Sequence, residues 1–339
     1  MVLTGFGGYE KLKYRQDVPV PTVSDDEVLV QVAACGVNNT DIWTREGAYG
    51  AGEQSGWRGG AFQFPRIQGA DIVGRIVDVG KNVPRDRLGT RVMINPTLYG
   101  GTGSGLFEAR YIGSERDGGF AEFACVPKQN AHEIDSALSC QELATFMTSY
   151  LTAEHMLNRA ELSANETVLV TGASGGVGSA LVQLAHVRGA RVIAVIGKGK
   201  AGYLADLGVD GVISRGEEDF VGAVRRQISS STVDVVADIV GGAQVSRLFE
   251  LLRVGGRYVT AGAIAGPIVT IDWRTLYLKH LTVLGSTMGT QTEAEQIVAH
   301  VACGRLKPLL AGSYPLEQLV QAQRDFKKKA HFGKFVVAP

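Results

Sequence analysis

Fifteen residues from Thr171 to Ala185, TGASGGVGSALVQLA, carry the clearest chemistry in this 339-residue chain. The apolar run Val168-Leu169-Val170 precedes them and an amphipathic stretch follows, so the segment reads as a strand, a glycine-rich turn and a helix N-terminus. Glycines let a backbone approach phosphates, while the unpaired N–H groups and positive dipole end of a helix favour their charge. Ala173, Gly175 and Gly178 take the three small-residue slots, with Ser174, Gly176 and Val177 completing the turn. In that setting the pattern predicts a dinucleotide pyrophosphate site, and with it the transfer of a hydride.

The choice of dinucleotide is read one strand later. Where an NAD site places Asp or Glu to accept hydrogen bonds from the adenine ribose, the stretch Arg191–Ile196 ends in Gly197-Lys198-Gly199-Lys200, with no carboxylate. Two lysines there suit a 2′-phosphate, so Gly197, Lys198 and Lys200 point to NADP(H). The alternative, two solvated lysines and a loose cofactor choice, stays open.

The elements that must position such a site follow from the rest of the chain. Its length suits two domains. Lys plus Arg and Asp plus Glu are 34 each, so the net charge of zero proposes neither a nucleic-acid nor a membrane partner. Cys35, Cys125, Cys140 and Cys303 are too scattered for a disulfide framework or a CxxC metal site, as suits a reducing compartment. No stretch approaches the apolar length of a membrane helix and no targeting segment opens the chain, so the expected localisation is cytoplasmic.

From Val28 to about Val126 short strands alternate with turns, which predicts a β-rich domain with two long glycine-rich loops, Gly47 to Gly60 and Asn95 to Gly119. Past the helical stretch that opens at Gln141, strands and helices alternate. Candidate strands at 168–171, 191–196, 211–213, 233–238, 257–261 and 281–285 predict a doubly wound parallel sheet of six strands. Helices at 292–302 and 316–326 and a last strand at 334–337 form a tail too short to fold alone. The expected domains are therefore 1–145 together with 290–339, and 146–289.

This organisation resembles the medium-chain dehydrogenase/reductase superfamily, in which a GroES-like β-rich catalytic domain accompanies a Rossmann domain. ACGVNNTD from Ala34, FPRIQGADIVGRIVDVG from Phe64, DGGFAEF from Asp117, TGASGGVGSA from Thr171 and GGRYVTAGAIAG from Gly255 carry the resemblance across nearly the whole chain. Where the family's zinc enzymes place catalytic ligands, this chain has Asn38, Ala70 and Ala144, and alanine cannot coordinate. Cys35 lies three positions too early and reads as packing. The loop Asn95 to Gly119 holds none of the cysteines of a structural zinc lobe, so it is held by something else or is mobile. No zinc is expected.

The run Asn38-Asn39-Thr40-Asp41-Ile42-Trp43, continuing to Tyr49, is similar to the zinc-free quinone oxidoreductase and enoyl reductase branch, although Trp43 departs from the tyrosine often found there. The resemblance implies hydride delivery from NADPH to a quinone or an α,β-unsaturated carbonyl. Reduction of that kind asks little of the protein, because the developing charge spreads onto an enolate or hydroquinone oxygen. Asn38 and Thr40 would polarise the carbonyl or hold the nicotinamide ribose, and Tyr49 would supply the proton, unless it only covers the pocket. An ion pair of Asp41 with Arg45 would brace the segment.

By family position, further cofactor contacts fall on Thr148, Val240, Gly241, Ala263, Ile264, Phe332, Gly333 and Lys334. Trp57, Phe62 and Phe64 line an apolar substrate cleft or simply pack. The last strand of the six would be an open edge, and the superfamily joins such edges, so a homodimer is expected. Two alternatives remain: an alcohol dehydrogenase or aldehyde reductase of the same superfamily, and a nucleotide-binding protein with vestigial activity.

Overall fold

The computed structural model describes residues 1–49, 62–228 and 230–339 and divides the chain into two compact units. Met1–Thr148, Thr290–Gly304 and Pro308–Pro339 form the first, and Ser149–Gly289 with Arg305–Lys307 form the second.

The second unit is a parallel sheet with the strand order Gly211–Ser214, Arg191–Ile196, Thr167–Val170, Val233–Asp238, Leu252–Thr260 and Thr282–Gly285. Helices cover a parallel sheet on both faces, so its inner strands must be apolar without alternation. Thr167–Val170 and Arg191–Ile196 show this: Val168, Leu169, Val170, Val192, Ile193 and Ala194 have no exposure. The strand Leu252–Thr260 starts five residues before the expected Arg257, because Leu252 already pairs with Val233 ahead of a register shift. Thr282–Gly285 is the outer strand and is largely exposed.

The first unit is built on a seven-stranded sheet around Glu27–Gly36, which pairs antiparallel with Asp71–Val79, Phe123–Pro127 and Lys334–Ala338. Val28, Val30, Val32 and Cys35 of that strand meet Ile72, Ile76, Phe120, Val126 and Val337 in one core. The tail thus contributes to the sheet, with Val336 opposite Gly36 and Val337 opposite Cys35. Thr290 caps the helix Gln291–Ala302 reciprocally with Glu293, satisfying two helix-end donors. Hydrogen bonds hold the loop from Asn95: Thr97–Leu98 pairs with Arg110–Tyr111, and Asn130 donates to the carbonyls of Asn95 and Thr97 at 2.8 and 2.7 Å. No described helix is long and apolar enough to cross a membrane.

Candidate active site

In the second unit the strand Thr167–Val170 runs into the glycine-rich turn and then the helix Gly176–Val187. Gly172 sits at φ +62°, a left-handed conformation that glycine adopts without cost, and a Cβ on Gly178 would lie 2.2 Å from the Gly172 carbonyl oxygen. The helix therefore packs against the turn only because both positions lack a side chain. Ser179 N–H donates to Gly175 O at 2.9 Å as the helix begins, so the amides of Gly176, Val177 and Gly178 stand at the open end, while Gly175 N–H is taken by Gly172 O at 3.0 Å. Ser174, Gly175, Gly176 and Val177 are partly exposed there, and a Cβ on Gly175 would meet nothing nearer than 3.6 Å. Ala173 is buried and donates its N–H to Val195 O. A pyrophosphate fits this cradle: donors, dipole and open space coincide.

Beyond Ile196, Lys198 is exposed and Lys200 partly buried, and Cβ atoms on Gly197 and Gly199 would project into open space. Ser214 is level with Ile196 in the sheet, and the next residue, Arg215, donates its N–H to Ile196 O at 2.7 Å. A third cation thus joins the two lysines. Burial first and the Arg215 charge second pull the Lys200 ammonium below its ordinary pKa. Such a group of cations suits a phosphate dianion.

Val240 and Gly241 direct their N–H groups to the Asp238 carboxylate at 2.9 and 3.1 Å. Ala263 accepts from Gly266 N–H, and Ile264 is half-exposed.

The first unit gathers a second polar group. Asn38, in extended conformation, starts the helix Asn39–Glu46 and donates its N–H to Asp41 Oδ2 at 2.7 Å; Gly47 ends the helix at φ +70°. Asn38 Nδ2 donates to Asp71 Oδ2 at 2.9 Å and lies 3.4 Å from Gly36 O, while Asn38 Oδ1 accepts from Lys334 Nζ at 2.9 Å. Lys334 Nζ also pairs with Asp71, both side chains being almost wholly buried. The other oxygen of Asp71 accepts the Thr148 N–H at 2.6 Å, and the Thr148 hydroxyl is 2.8 Å from that of Tyr111. Burial pushes the Asp41 carboxyl up to about 7, helped by the Asp71 charge and opposed by the Asn38 amide.

Two hydroxyls differ from these. Thr40 Oγ1 is buried without a hydrogen-bond partner. Tyr49 packs edge-on against Trp43, with ring centroids 5.7 Å apart, and its phenol is held well above the ordinary pKa by burial and then by the Asp41 charge. It therefore keeps its proton at any ordinary pH.

Lys334 is engaged with Asp71 and Asn38 and is 3% exposed. Asn38 has its amide oxygen and nitrogen both bonded within the protein. One expectation changes. Arg45 is no partner of Asp41: it donates to Gly7 O and Gln323 Oε1, pairs with Glu46 and stacks on Tyr9.

Phe332 is partly buried, and Gly333, at φ +86°, packs against Leu309 O. Phe62 and Phe64 cluster with Phe6, with centroids 4.8 to 5.5 Å apart, while Trp57 lies outside the described residues. Sequence reasoning missed Asp71, Tyr111, Arg215 and Asp238. An acid opening or closing an apolar run marks Asp71 and Asp238, but nothing local marks the other two.

A catalytic zinc needs about three protein ligands of N, S or O type. Ala70 and Ala144 offer no donor atom, the Asn38 amide oxygen is taken by Lys334, and no cluster of three or more His, Cys, Asp or Glu able to hold a metal occurs among the described residues. The residues do not fit the metal.

Comparison with known proteins gives two family matches: an alcohol dehydrogenase GroES-like domain over residues 24–136 and a zinc-binding dehydrogenase over residues 176–302. A quinone oxidoreductase of Mus musculus is 30% identical over 331 residues, covering 94% of this chain and 91% of the relative. A solved structure from Sinorhizobium meliloti 1021 with a provisional alcohol dehydrogenase name is 49% identical at a TM-score of 0.97, covering all of this chain and 95% of its own. A solved NAD-dependent alcohol dehydrogenase is 29% identical at a TM-score of 0.90, covering 100% of this chain and 98% of its own.

Proposed function

Because the chain belongs to the medium-chain dehydrogenase/reductase superfamily, in its quinone oxidoreductase-like branch, we propose that this oxidoreductase is an NADPH-dependent reductase of quinones or α,β-unsaturated carbonyls, working without zinc. The observation that carries the reading is the pair of hydroxyls, Thr40 and Tyr49, beside a polar cluster whose own bonds are complete. NADPH, when bound, supplies the hydride.

The protein's residues do the rest. Lys334, Asp71 and Asn38 fix the start of the helix Asn39–Glu46 and the Thr148 amide, so the hydroxyls are presented from a rigid floor. Thr40 Oγ1 donates to the acceptor oxygen or to the nicotinamide ribose. Tyr49 gives its phenolic proton to the enolate or hydroquinone oxygen and regains one from solvent. Ser174, Gly175, Gly176 and Val177 take the pyrophosphate, and Lys198, Lys200 and Arg215 favour a 2′-phosphate.

The alcohol dehydrogenase names of the two solved relatives favour a second reading, reduction of an aldehyde or ketone with the same phenol as acid. Stopped-flow oxidation of NADPH and NADH against quinones, enals, enoyl thioesters and aldehydes separates them. The first reading expects fast turnover of conjugated acceptors with NADPH preferred; turnover of aldehydes alone supports the second. Tight nucleotide binding with no acceptor turned over leaves a nucleotide-binding protein. Activity that depends on stoichiometric zinc overturns the metal-free assignment.

A homodimer belongs to the same proposal. The helix Trp273–Leu278 buries none of its residues, and Trp273, Tyr277, Leu278 and Val283 are exposed beside the open edge strand. An apolar surface of this kind next to unpaired strand groups is commonly covered by a partner.

A further inference from the structure

Asp238 ends the strand Val233–Asp238 and has no exposure, yet the functional reading gives it no task. Its carboxylate accepts four hydrogen bonds. Oδ1 takes the Thr171 hydroxyl and the Val240 N–H, and Oδ2 takes the Tyr258 hydroxyl and the Gly241 N–H. These are all the acceptor sites a carboxylate has. The Thr171 hydroxyl in turn accepts the Ile239 N–H at 3.2 Å.

The donors come from three neighbouring strand ends. Thr171 immediately follows Thr167–Val170 and opens the glycine-rich turn, Tyr258 lies in Leu252–Thr260, and Val240 and Gly241 follow Asp238 itself. Reading the sheet across, strand order reverses between Thr167–Val170 and Val233–Asp238, the first strand of the unit and the fourth. In open parallel sheets the crevice at that reversal, outside the carboxyl ends of the strands, is where ligands bind. Asp238 is thus a buried anion bridging the two strand ends that flank the crevice.

We propose that Asp238 is the positioning residue of the dinucleotide site, holding the Gly172 turn and the Gly241 turn at the separation a bound nucleotide needs. The inference rests on the dinucleotide reading. Gly241 sits at φ +64° and Gly242 at φ +70°, so this backbone bends sharply just where the carboxylate receives its amides. Asparagine could keep the hydroxyl partners, because hydroxyls rotate to donate or accept. It cannot satisfy both amides and both hydroxyls, since its nitrogen only donates, and either the Val240 or the Gly241 N–H is left buried and unpaired.

The test is nucleotide binding to the full chain, followed by NADPH fluorescence well below the melting temperature, in Asp238→Asn, Tyr258→Phe and Thr171→Val. Asp238→Asn is expected to weaken NADPH roughly tenfold or more, with NADH weakened in the same proportion because the brace is remote from the 2′-phosphate. Tyr258→Phe and Thr171→Val each remove one donor and keep the charge, so each weakens binding by a smaller factor. A folded Asp238→Asn protein with a lowered melting temperature and wild-type nucleotide affinity overturns the proposal. If that variant does not fold, wild-type affinity in both single-donor variants overturns it instead. Wild-type protein that binds neither nucleotide overturns the dinucleotide reading and this inference with it.

Discussion

Thr40 differs from its polar neighbours in having a buried hydroxyl with no hydrogen-bond partner, and Tyr49 in having a phenol that burial keeps protonated. Asn38, Asp71 and Lys334 satisfy one another, and a group already bonded within the protein contributes geometry more than chemistry. Tyr49→Phe is therefore expected to lower kcat with a conjugated acceptor roughly 100-fold while leaving the NADPH dissociation constant unchanged, read by steady-state kinetics alongside a fluorescence titration. An unaltered kcat removes Tyr49 as the acid. Arg215→Glu places a negative charge beside Lys200, so kcat/KM for NADPH should fall about tenfold and that for NADH should hardly move. Comparing the two ratios checks it. The lysines could be read from the chain because they directly follow an apolar strand. Arg215 could not, because its place depends on the register that sets Ser214 level with Ile196.

Elements show why one half of the site was more legible than the other. Strand, glycine turn and helix are consecutive in the chain, so the nucleotide cradle is a local pattern. Gly178→Ala tests it: the new Cβ would fall 2.2 Å from the Gly172 carbonyl, so the helix must move off its strand at a cost of about 1–3 kcal/mol, and nucleotide affinity should drop with the melting temperature. The helix Asn39–Glu46 depends instead on distant residues. Asp71 and Lys334 fasten its first residues, and neither has a neighbour in sequence that announces the partner. An expected Asp41–Arg45 brace gave way to separate partners because Asp41 is drawn to the helix's own N-terminus.

That placement has a pH signature. The Asp41 carboxyl titrates at about 7 in the folded protein against an ordinary value of 3.8, so the folded chain holds a proton that the unfolded chain releases. The resulting stability is complete below pH ~4, falls as pH rises, and is gone above pH ~7, with about 4 kcal/mol as its ceiling. Melting temperatures between pH 5 and 8 should fall by several degrees more in the wild type than in Asp41→Asn.

At the scale of the whole molecule, the six-stranded sheet was legible from alternating apolar runs, whereas the way residues 305–307 return to the second unit had no signal in composition. The exposed face around the outer strand makes the assembly testable. Sedimentation should give a dimer, and Leu278→Asp with Trp273→Asp should shift it to monomer without loss of the far-ultraviolet circular dichroism of the fold. An unchanged sedimentation coefficient in that double variant places any interface elsewhere.

Asp71 and Lys334 are separated by 263 residues. At about 5–20 residues per second, a ribosome needs roughly 13 to 50 s to deliver the ammonium after the carboxylate has emerged. Throughout that interval the carboxyl of Asp71, wholly buried in the finished protein, lacks the ammonium it pairs with, and an unpaired buried carboxylate is costly. The ion pair that fastens the start of the helix Asn39–Glu46 can therefore form only after the strand Lys334–Ala338 has been made, so a contact that local sequence cannot announce is also one of the last to become available.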